Sequence, residues 1–269
     1  MSTRIAVSGA TGRMGRAIVR VVAEEAGCEL VQAFTHAEDP SLGRDAGEVA
    51  GVGTLAVPVA ALDGDSTVDA DVLVEFSTPE GAALAADRCD GPRVPLVSGT
   101  TGLDDGTLAK LDALAQHVPV VVAPNMSVGV TLLFHLAELA TRTLGADFDP
   151  EIVEMHHRHK VDAPSGTAVR LAERVAQARE LDPKTAVVHG RSGRTGPRPD
   201  EEIGVMTLRG GGVIGEHTLH LAGAGERLEL THRAQDRSIF ARGAVRAARW
   251  VVGKHPARYD MADVLGLAR

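Results

Sequence analysis

The feature that most limits what this chain can fold into is VSGATGRMGRA, residues 7–17, where an apolar stretch ends in Gly9, Gly12 and Gly15 and a helical pattern begins at once. Strand, glycine turn and helix in that order are the start of a βαβ unit. Gly9 permits the tight turn, Gly12 lets backbone N–H groups approach a pyrophosphate, and Gly15 allows close packing of helix on sheet. The helix N-terminus adds positive partial charge at the same place.

The next hundred residues repeat the rhythm. RIAVSG, CELVQAF, DVLVEFS, VPLVSG and VPVVVAPN are β-branched runs separated by amphipathic stretches, which predicts a parallel sheet with crossover helices. In the first helix Met14, Ile18, Val21, Val22 and Glu25 keep helical spacing, and Gly27 is placed as a stop.

After Asn125 the pattern changes. A long helical stretch over 128–144 leads to a strand-like EIVEMHH, then to a second helix from Ser165 to about Leu181. EIGVMTLRG, GEHTLHLAG and ERLELTHRA alternate apolar and polar residues, as an open mixed sheet with one covered face requires. GRSGRTGPRPD, 190–200, reads as a mobile loop, and IFARGAVRAARWVVGK as a helix that returns to the first domain. The expected fold is therefore α/β: a dinucleotide-binding domain over 1–126 and 237–269, and an α+β domain over 127–236.

The formal net charge of −8 argues against a nucleic-acid or anionic-membrane surface. Cys28 and Cys89 are lone thiols without metal-site spacing, and no apolar run is long enough to span a membrane, so a cytoplasmic location is expected. Against this background EMHHRHKVDAPSGTA, 154–168, stands out: it sets His156, His157, Arg158, His159 and Lys160 side by side, and Lys160 is one of only four lysines. Read as extended, the segment puts His156, Arg158 and Lys160 on one face and His157 and His159 on the other. Adjacent histidines on opposite faces converge poorly on a metal, so none is expected. Ser165 is a credible N-cap, and the N–H groups of Gly166 and Thr167 then open a helix beside these cations, which describes a carboxylate site with proton donors at hand.

With those motifs goes a resemblance. GATGRMG at 9–15, EFSTPEG at 75–81, SGTTG at 98–102, APNMSVGV at 123–130, EMHHRHKVDAPSGTA, GEHT at 215–218 and GERLELTH at 225–232 closely resemble the 4-hydroxy-tetrahydrodipicolinate reductase (dihydrodipicolinate reductase) family over essentially the whole chain. The resemblance implies a Rossmann-like domain and a substrate domain that builds a homotetramer. It implies that Gly9, Ala10, Thr11, Gly12, Arg13 and Met14 cradle the pyrophosphate, and that Gly99, Thr100, Thr101, Ala123, Pro124, Asn125 and Met126 border the nicotinamide and its ribose. His156 then matches the proton donor, Lys160 a second acid, and His157, Gly166 and Thr167 the substrate-binding positions. That places chemistry on both faces of the supposed strand, which implies a turn within HHRHK.

The cofactor carries a departure. The second strand ends QAFTHAED, so Thr35 and His36 stand where an acid usually chelates the adenosine ribose, although Glu38 or Asp39 can fold back to replace it. With Arg13, Arg16 and His36 nearby, use of both NADPH and NADH is expected, with NADPH preferred. Two other readings compete: a semialdehyde or homoserine-type dehydrogenase, whose acylating form needs a cysteine nucleophile, and a non-catalytic NAD(P)H sensor, which has no need of His156 and Lys160.

Overall fold

In a computed structural model, which describes residues 2–267, the chain begins with β1 (Thr3–Ser8), α1 (Arg13–Glu24), β2 (Cys28–Thr35), α2 (Ala46–Ala50), β3 (Val59–Ala61), β4 (Val72–Glu75), α3 (Pro79–Asp90), β5 (Leu96–Ser98), α4 (Asp105–Leu114) and β6 (Pro119–Val122). It continues through α5 (Val128–Leu144), β7 (Asp149–His156), α6 (Gly166–Ala178), α7 (Pro183–Ala186), β8 (Val187–Val188), β9 (Ile203–Arg209), β10 (Gly215–Ala222) and β11 (Arg227–Ala234). It closes with α8 (Ser238–Val251), β12 (Ala257–Tyr259) and α9 (Met261–Leu265). Contacts divide it into one unit of Met1–Val128 and Ser238–Arg269 and a second of Gly129–Arg237, with limits slightly later than those read from sequence.

The first unit is built on a seven-stranded, all-parallel sheet of order β12-β6-β5-β4-β1-β2-β3. Parallel sheets are covered on both faces, and the strand residues divide accordingly. Ile5, Val7, Val72 and Val74 pack with α1 and α8, whereas Ala6, Leu73 and Leu96 pack with Ala85 and Cys89 of α3 and Leu111 of α4. Local signals set the helix starts: Thr78 caps α3 ahead of Pro79, and Asp104 caps α4 through the Thr107 N–H. The strand order reverses between β1 and β4, so their C-terminal ends frame the crevice where ligands of such sheets bind.

The second unit carries a mixed five-stranded sheet, β11-β10-β7-β9-β8, with β7, β8 and β9 mutually parallel in order and β10 antiparallel to both of its neighbours. Alternation decides which face is covered: in β7, Pro150, Ile152, Glu154 and His156 are buried and the residues between them are only partly so. Ile152, Ile203, Leu219 and Leu221 meet Leu171 and Val175 of α6 and Leu133 of α5.

Two expectations change. The extended reading of 152–160 fails after His156: β7 stops there, the glycines that follow β9 make the last two bonds to it (Gly210 N to His156 O, 3.0 Å; Arg158 N to Gly211 O, 3.2 Å), and the Lys160 N–H turns back to the His157 carbonyl at 3.1 Å. Partner strand β9 ends at Arg209, so nothing remains to pair with a longer strand. The 190–200 segment has no regular structure, yet it is tied down by its arginines. Arg191 bonds Glu151 (2.7 Å) and Glu202, and Arg198 bonds Glu151 and Asp149, each at 2.9 Å.

Candidate active site

In the first unit the candidate residues gather at the C-terminal strand ends. Gly9 to Gly12 form the turn between β1 and α1, Arg13 and Met14 open α1, Thr35 ends β2 with His36 directly after it, Gly99 to Thr101 follow β5, and Ala123 to Met126 follow β6. Gly9 sits at φ +76°, and a Cβ there would lie 2.2 Å from the Phe76 carbonyl oxygen; one on Gly15 would lie 2.0 Å from the Gly9 carbonyl oxygen. Neither position can take a side chain. The Gly12 N–H closes the turn onto the Gly9 carbonyl (3.0 Å), and α1 then starts without any side-chain cap or first-turn acid. An uncapped 12-residue helix entered through such a turn fits a dinucleotide pyrophosphate.

The loops beside it are joined by a carboxylate that sequence reasoning did not single out. Glu75, at the end of β4, has no exposed surface; it accepts from Ser77 N (2.7 Å), Ser77 Oγ (2.6 Å), Ser98 Oγ (2.7 Å) and Thr100 Oγ1 (2.7 Å). The only hint was an acid closing the apolar run DVLVE. Gly99 is needed for its own reason, since a Cβ there would meet the Phe76 ring at 2.1 Å. Gly243 of α8 plays the same part for Met126, whose carbonyl oxygen would lie 1.7 Å from an added Cβ.

At the end of β2, Thr35 is buried, and the acid missing from its position is supplied by the next turn. Oδ2 of Asp39 accepts from Thr11 Oγ1 (2.6 Å) and Thr35 Oγ1 (2.9 Å), and Oδ1 from Ser41 N (2.8 Å). The hydrogen bond from Thr11, with those from Ser41 and Thr35, outweighs burial and holds this carboxyl down to about 2.

In the second unit, strand periodicity places Glu154 and His156 on the same buried face of β7. His156 Nδ1 lies 2.6 Å from Glu154 Oε2. Cross-strand neighbours complete the cluster: register sets Thr207 and His217 opposite Glu154, and Arg209 opposite His156. Arg209 grips both carboxylate oxygens at 2.9 and 3.0 Å, Thr207 Oγ1 donates at 3.1 Å, and so does the Ser165 N–H at 3.1 Å. A Cβ on Gly215 would lie 3.0 Å from His156 Nε2, so the glycine of GEHT leaves room for the ring.

The electrostatics follow from that crowding. Burial alone would raise Glu154, but Arg209 and His156 outweigh it and the carboxyl falls below its usual range. Burial pushes His156 down, and the Glu154 hydrogen bond offsets this only in part. The two shifts differ from those of a simple ion pair: Arg209 is the counter-cation of Glu154, and the acceptor-only carboxylate takes the Nδ1–H of a ring whose pKa burial lowers. Burial also pushes His217 down, to about 4; its Nε2 lies 2.9 Å from Ser165 Oγ, which caps α6 by accepting from Ala168 N at 3.2 Å. Ser165 is thus a cap and a link between helix start and sheet.

Lys160 lies beyond the turn with Nζ 2.8 Å from Asp162 Oδ1, and Gly166 and Thr167 are the first two residues of α6. The Nδ1 of His157 is shielded from solvent without a hydrogen-bond partner among the described residues, a polar atom that a ligand would satisfy. The structure thus groups His156, His157, Lys160, Gly166 and Thr167 around one turn and one helix start. Sequence reasoning missed Glu154, Arg209 and His217; the two-residue spacing within EMH was a signal for Glu154 alone, and Arg209 and His217 reach the cluster through strand register.

Neither thiol suits a nucleophile: burial raises both Cys28 and Cys89. Among the described residues no three His, Cys, Asp or Glu side chains are grouped to hold a metal, and no helix is long and apolar enough to cross a membrane.

The models for "Dihydrodipicolinate reductase, N-terminus" and "Dihydrodipicolinate reductase, C-terminus" match residues 3–126 and 129–265. The 4-hydroxy-tetrahydrodipicolinate reductase of Alkalilimnicola ehrlichii is 52% identical over 267 residues, which cover 99% of this chain and 100% of that protein. The dipicolinate-bound dihydrodipicolinate reductase from Paenisporosarcina sp. TG-14 has a TM-score of 0.77 at 29% identity, covering 98% of this chain and 99% of that one. Aspartate semialdehyde dehydrogenase II from Vibrio cholerae, at TM-score 0.55 and 11% identity, shares the fold alone. The chain belongs to the dihydrodipicolinate reductase family.

Proposed function

We propose that this oxidoreductase reduces 4-hydroxy-tetrahydrodipicolinate to tetrahydrodipicolinate, with loss of water, in the diaminopimelate route of lysine biosynthesis, using NADPH or NADH. The observation that carries the reading is the buried His156–Glu154 pair at 2.6 Å, beside Lys160 and the start of α6. In this reading the first unit holds the dinucleotide, with Gly9, Ala10, Thr11, Gly12, Arg13 and Met14 at the pyrophosphate, Thr35 and His36 near the adenosine ribose, and Gly99, Thr100, Thr101, Ala123, Pro124, Asn125 and Met126 at the nicotinamide side. When bound there, a reduced nicotinamide would supply the hydride that C4 of the cyclic imine dicarboxylate, formed by loss of water, takes up.

This chain's own residues do the rest. Gly166 and Thr167 N–H groups, with His157, hold a substrate carboxylate at the helix start. Glu154 fixes the His156 ring so that Nε2 is the atom left to carry a proton. The anionic substrate raises His156 from its depressed value, so the ring takes up a proton as substrate binds and delivers it to the carbon beside C4, with Lys160 as second acid. We further propose a homotetramer assembled through the second unit, located in the cytoplasm. The test is to mix purified protein, NADPH or NADH and freshly generated substrate and follow the reduced cofactor's absorbance. Consumption is expected; binding of dinucleotide without consumption would favour the sensor reading.

A further inference from the structure

Thr11 and Thr35 together with Asp39 make a cluster whose hydrogen-bonding character is one-sided. The turn after β2 fixes Asp39 by three bonds: its N–H to the His36 carbonyl (3.1 Å), its carbonyl to the Leu42 N–H (3.1 Å), and its Oδ1 to the Ser41 N–H. Its Oδ2 then reaches the glycine turn. Each threonine hydroxyl has a single proton, and both have Oδ2 as a close acceptor, at 2.6 and 2.9 Å, while the hydroxyl oxygens themselves approach to 2.8 Å. What remains for a ligand is lone pairs: those of the two hydroxyls and the one acceptor position of the Asp39 carboxylate that Thr11, Thr35 and Ser41 leave open.

Resting on the reading of the first unit as a dinucleotide site, we propose that Asp39 takes over the ribose-reading role that Thr35 cannot perform, and makes the chain select the unphosphorylated adenosine ribose of NADH over NADPH. A ribose diol brings two donors and no charge, which suits this cluster. A 2′-phosphate brings only acceptors and negative charge, and meets an anion that already holds the threonine protons. The carboxyl stays ionised throughout the working range, being held down to about 2. Arg13 and Arg16 at the start of α1 are the cations that oppose this selection, and the His36 ring lies 3.6 Å from Asp39 with 70% of its side chain exposed. The proposal runs opposite to the preference expected from sequence, because the backbone carries an acid to the place from which the strand end lacks one.

The experiment is equilibrium binding, read by fluorescence titration, of NADH and NADPH to wild type and to Asp39→Asn. Wild type should bind NADH more tightly. The variant should gain about tenfold in NADPH affinity and lose several-fold, on the order of one hydrogen bond to a charged group, for NADH. An unchanged affinity ratio would overturn the proposal while leaving the dinucleotide site intact; failure of either dinucleotide to bind wild type would instead remove that site. Should the variant fold poorly, competition on wild type decides: 5′-ADP should displace NADH better than 2′,5′-ADP, and the reverse order would show that Arg13 and Arg16 outweigh Asp39.

Discussion

Glu154 holds the Nδ1 of His156 at 2.6 Å from within a fully buried position, while its other bonds go to Arg209, Thr207 and the backbone that starts α6. One carboxylate therefore sets both the orientation of the imidazole and the start of α6. Glu154→Gln offers Nδ1–H an amide that can present either end, so the ring loses its fixed orientation. Turnover should fall by about 10²-fold or more, by analogy with other carboxylates that orient a catalytic imidazole, and NADH binding should be unchanged. Gly215→Ala, which crowds Nε2, should act in the same sense but more weakly. Steady-state kcat for both variants checks this, and a wild-type kcat in Glu154→Gln would show that the pair is merely structural.

His156→Ala and Lys160→Ala should each lower kcat by about 10²- to 10⁴-fold, the scale of a positioned proton donor, with dinucleotide titrations unaffected. Near-normal turnover in one of them would exclude that residue from proton delivery.

Because burial depresses His156 in the free protein, the pH profiles of kcat/KM and kcat should separate. The acid must be protonated to work. The kcat/KM profile, which reports the free protein, should therefore decline as pH rises through a value below 6.5, whereas kcat, which reports the complex with a dicarboxylate, should decline at higher pH. Superimposed profiles would mean that substrate charge does not reach the ring.

At the start of α6, Thr167→Val removes a hydroxyl and keeps the backbone donor, while Thr167→Pro removes the N–H at a position where helices tolerate proline. KM for the dicarboxylate should rise far more in the proline variant, with circular dichroism confirming that the helix persists. Equal rises in a folded pair would place the carboxylate elsewhere.

His217 should make the second unit acid-sensitive. Its folded value of about 4 lies below the ordinary 6.5, so the unfolded chain binds the proton more readily. The stabilisation is complete above about 6.5 and is lost as pH falls toward about 4, an effect on the order of 3 kcal/mol. Thermal unfolding of wild type and His217→Gln, followed between pH 4.5 and 7.5, should show the steeper loss in wild type. Parallel curves would assign the acid sensitivity to other groups.

Much of this molecule is legible in its sequence because the relevant signals are local. Gly9 and Gly15 are glycines for reasons that a strand, a turn and a helix already imply, and the parallel and mixed sheets follow from runs long enough to show their period. The short strands β3, β8 and β12 were not visible, since two or three residues carry no period and, unlike β5, they do not lie in one of the β-branched runs read between the first helices. Glu154 was hidden for a different reason. Its importance comes from being on the covered face opposite Thr207 and His217, and register is a property of three strands together. Asp39 illustrates the limit most clearly: sequence offered Glu38 and Asp39 as equal substitutes, and only the turn geometry separates them.

The return of the chain to its first unit has a consequence for synthesis. Ala241, Ala244, Val245, Ala247, Ala248 and Val251 of α8 share a core with Ile5 and Val7, and β12 covers the edge of β6. Until about residue 259 has emerged, the face of the parallel sheet that α1 shares with α8 is only partly covered and the β6 edge is unpaired, with the whole second unit already made. The dinucleotide-binding unit, although encoded first, is thus the last to be completed, and a stop codon before Ser238 would expose the oldest part of the chain to aggregation while leaving the sequence of the second unit intact.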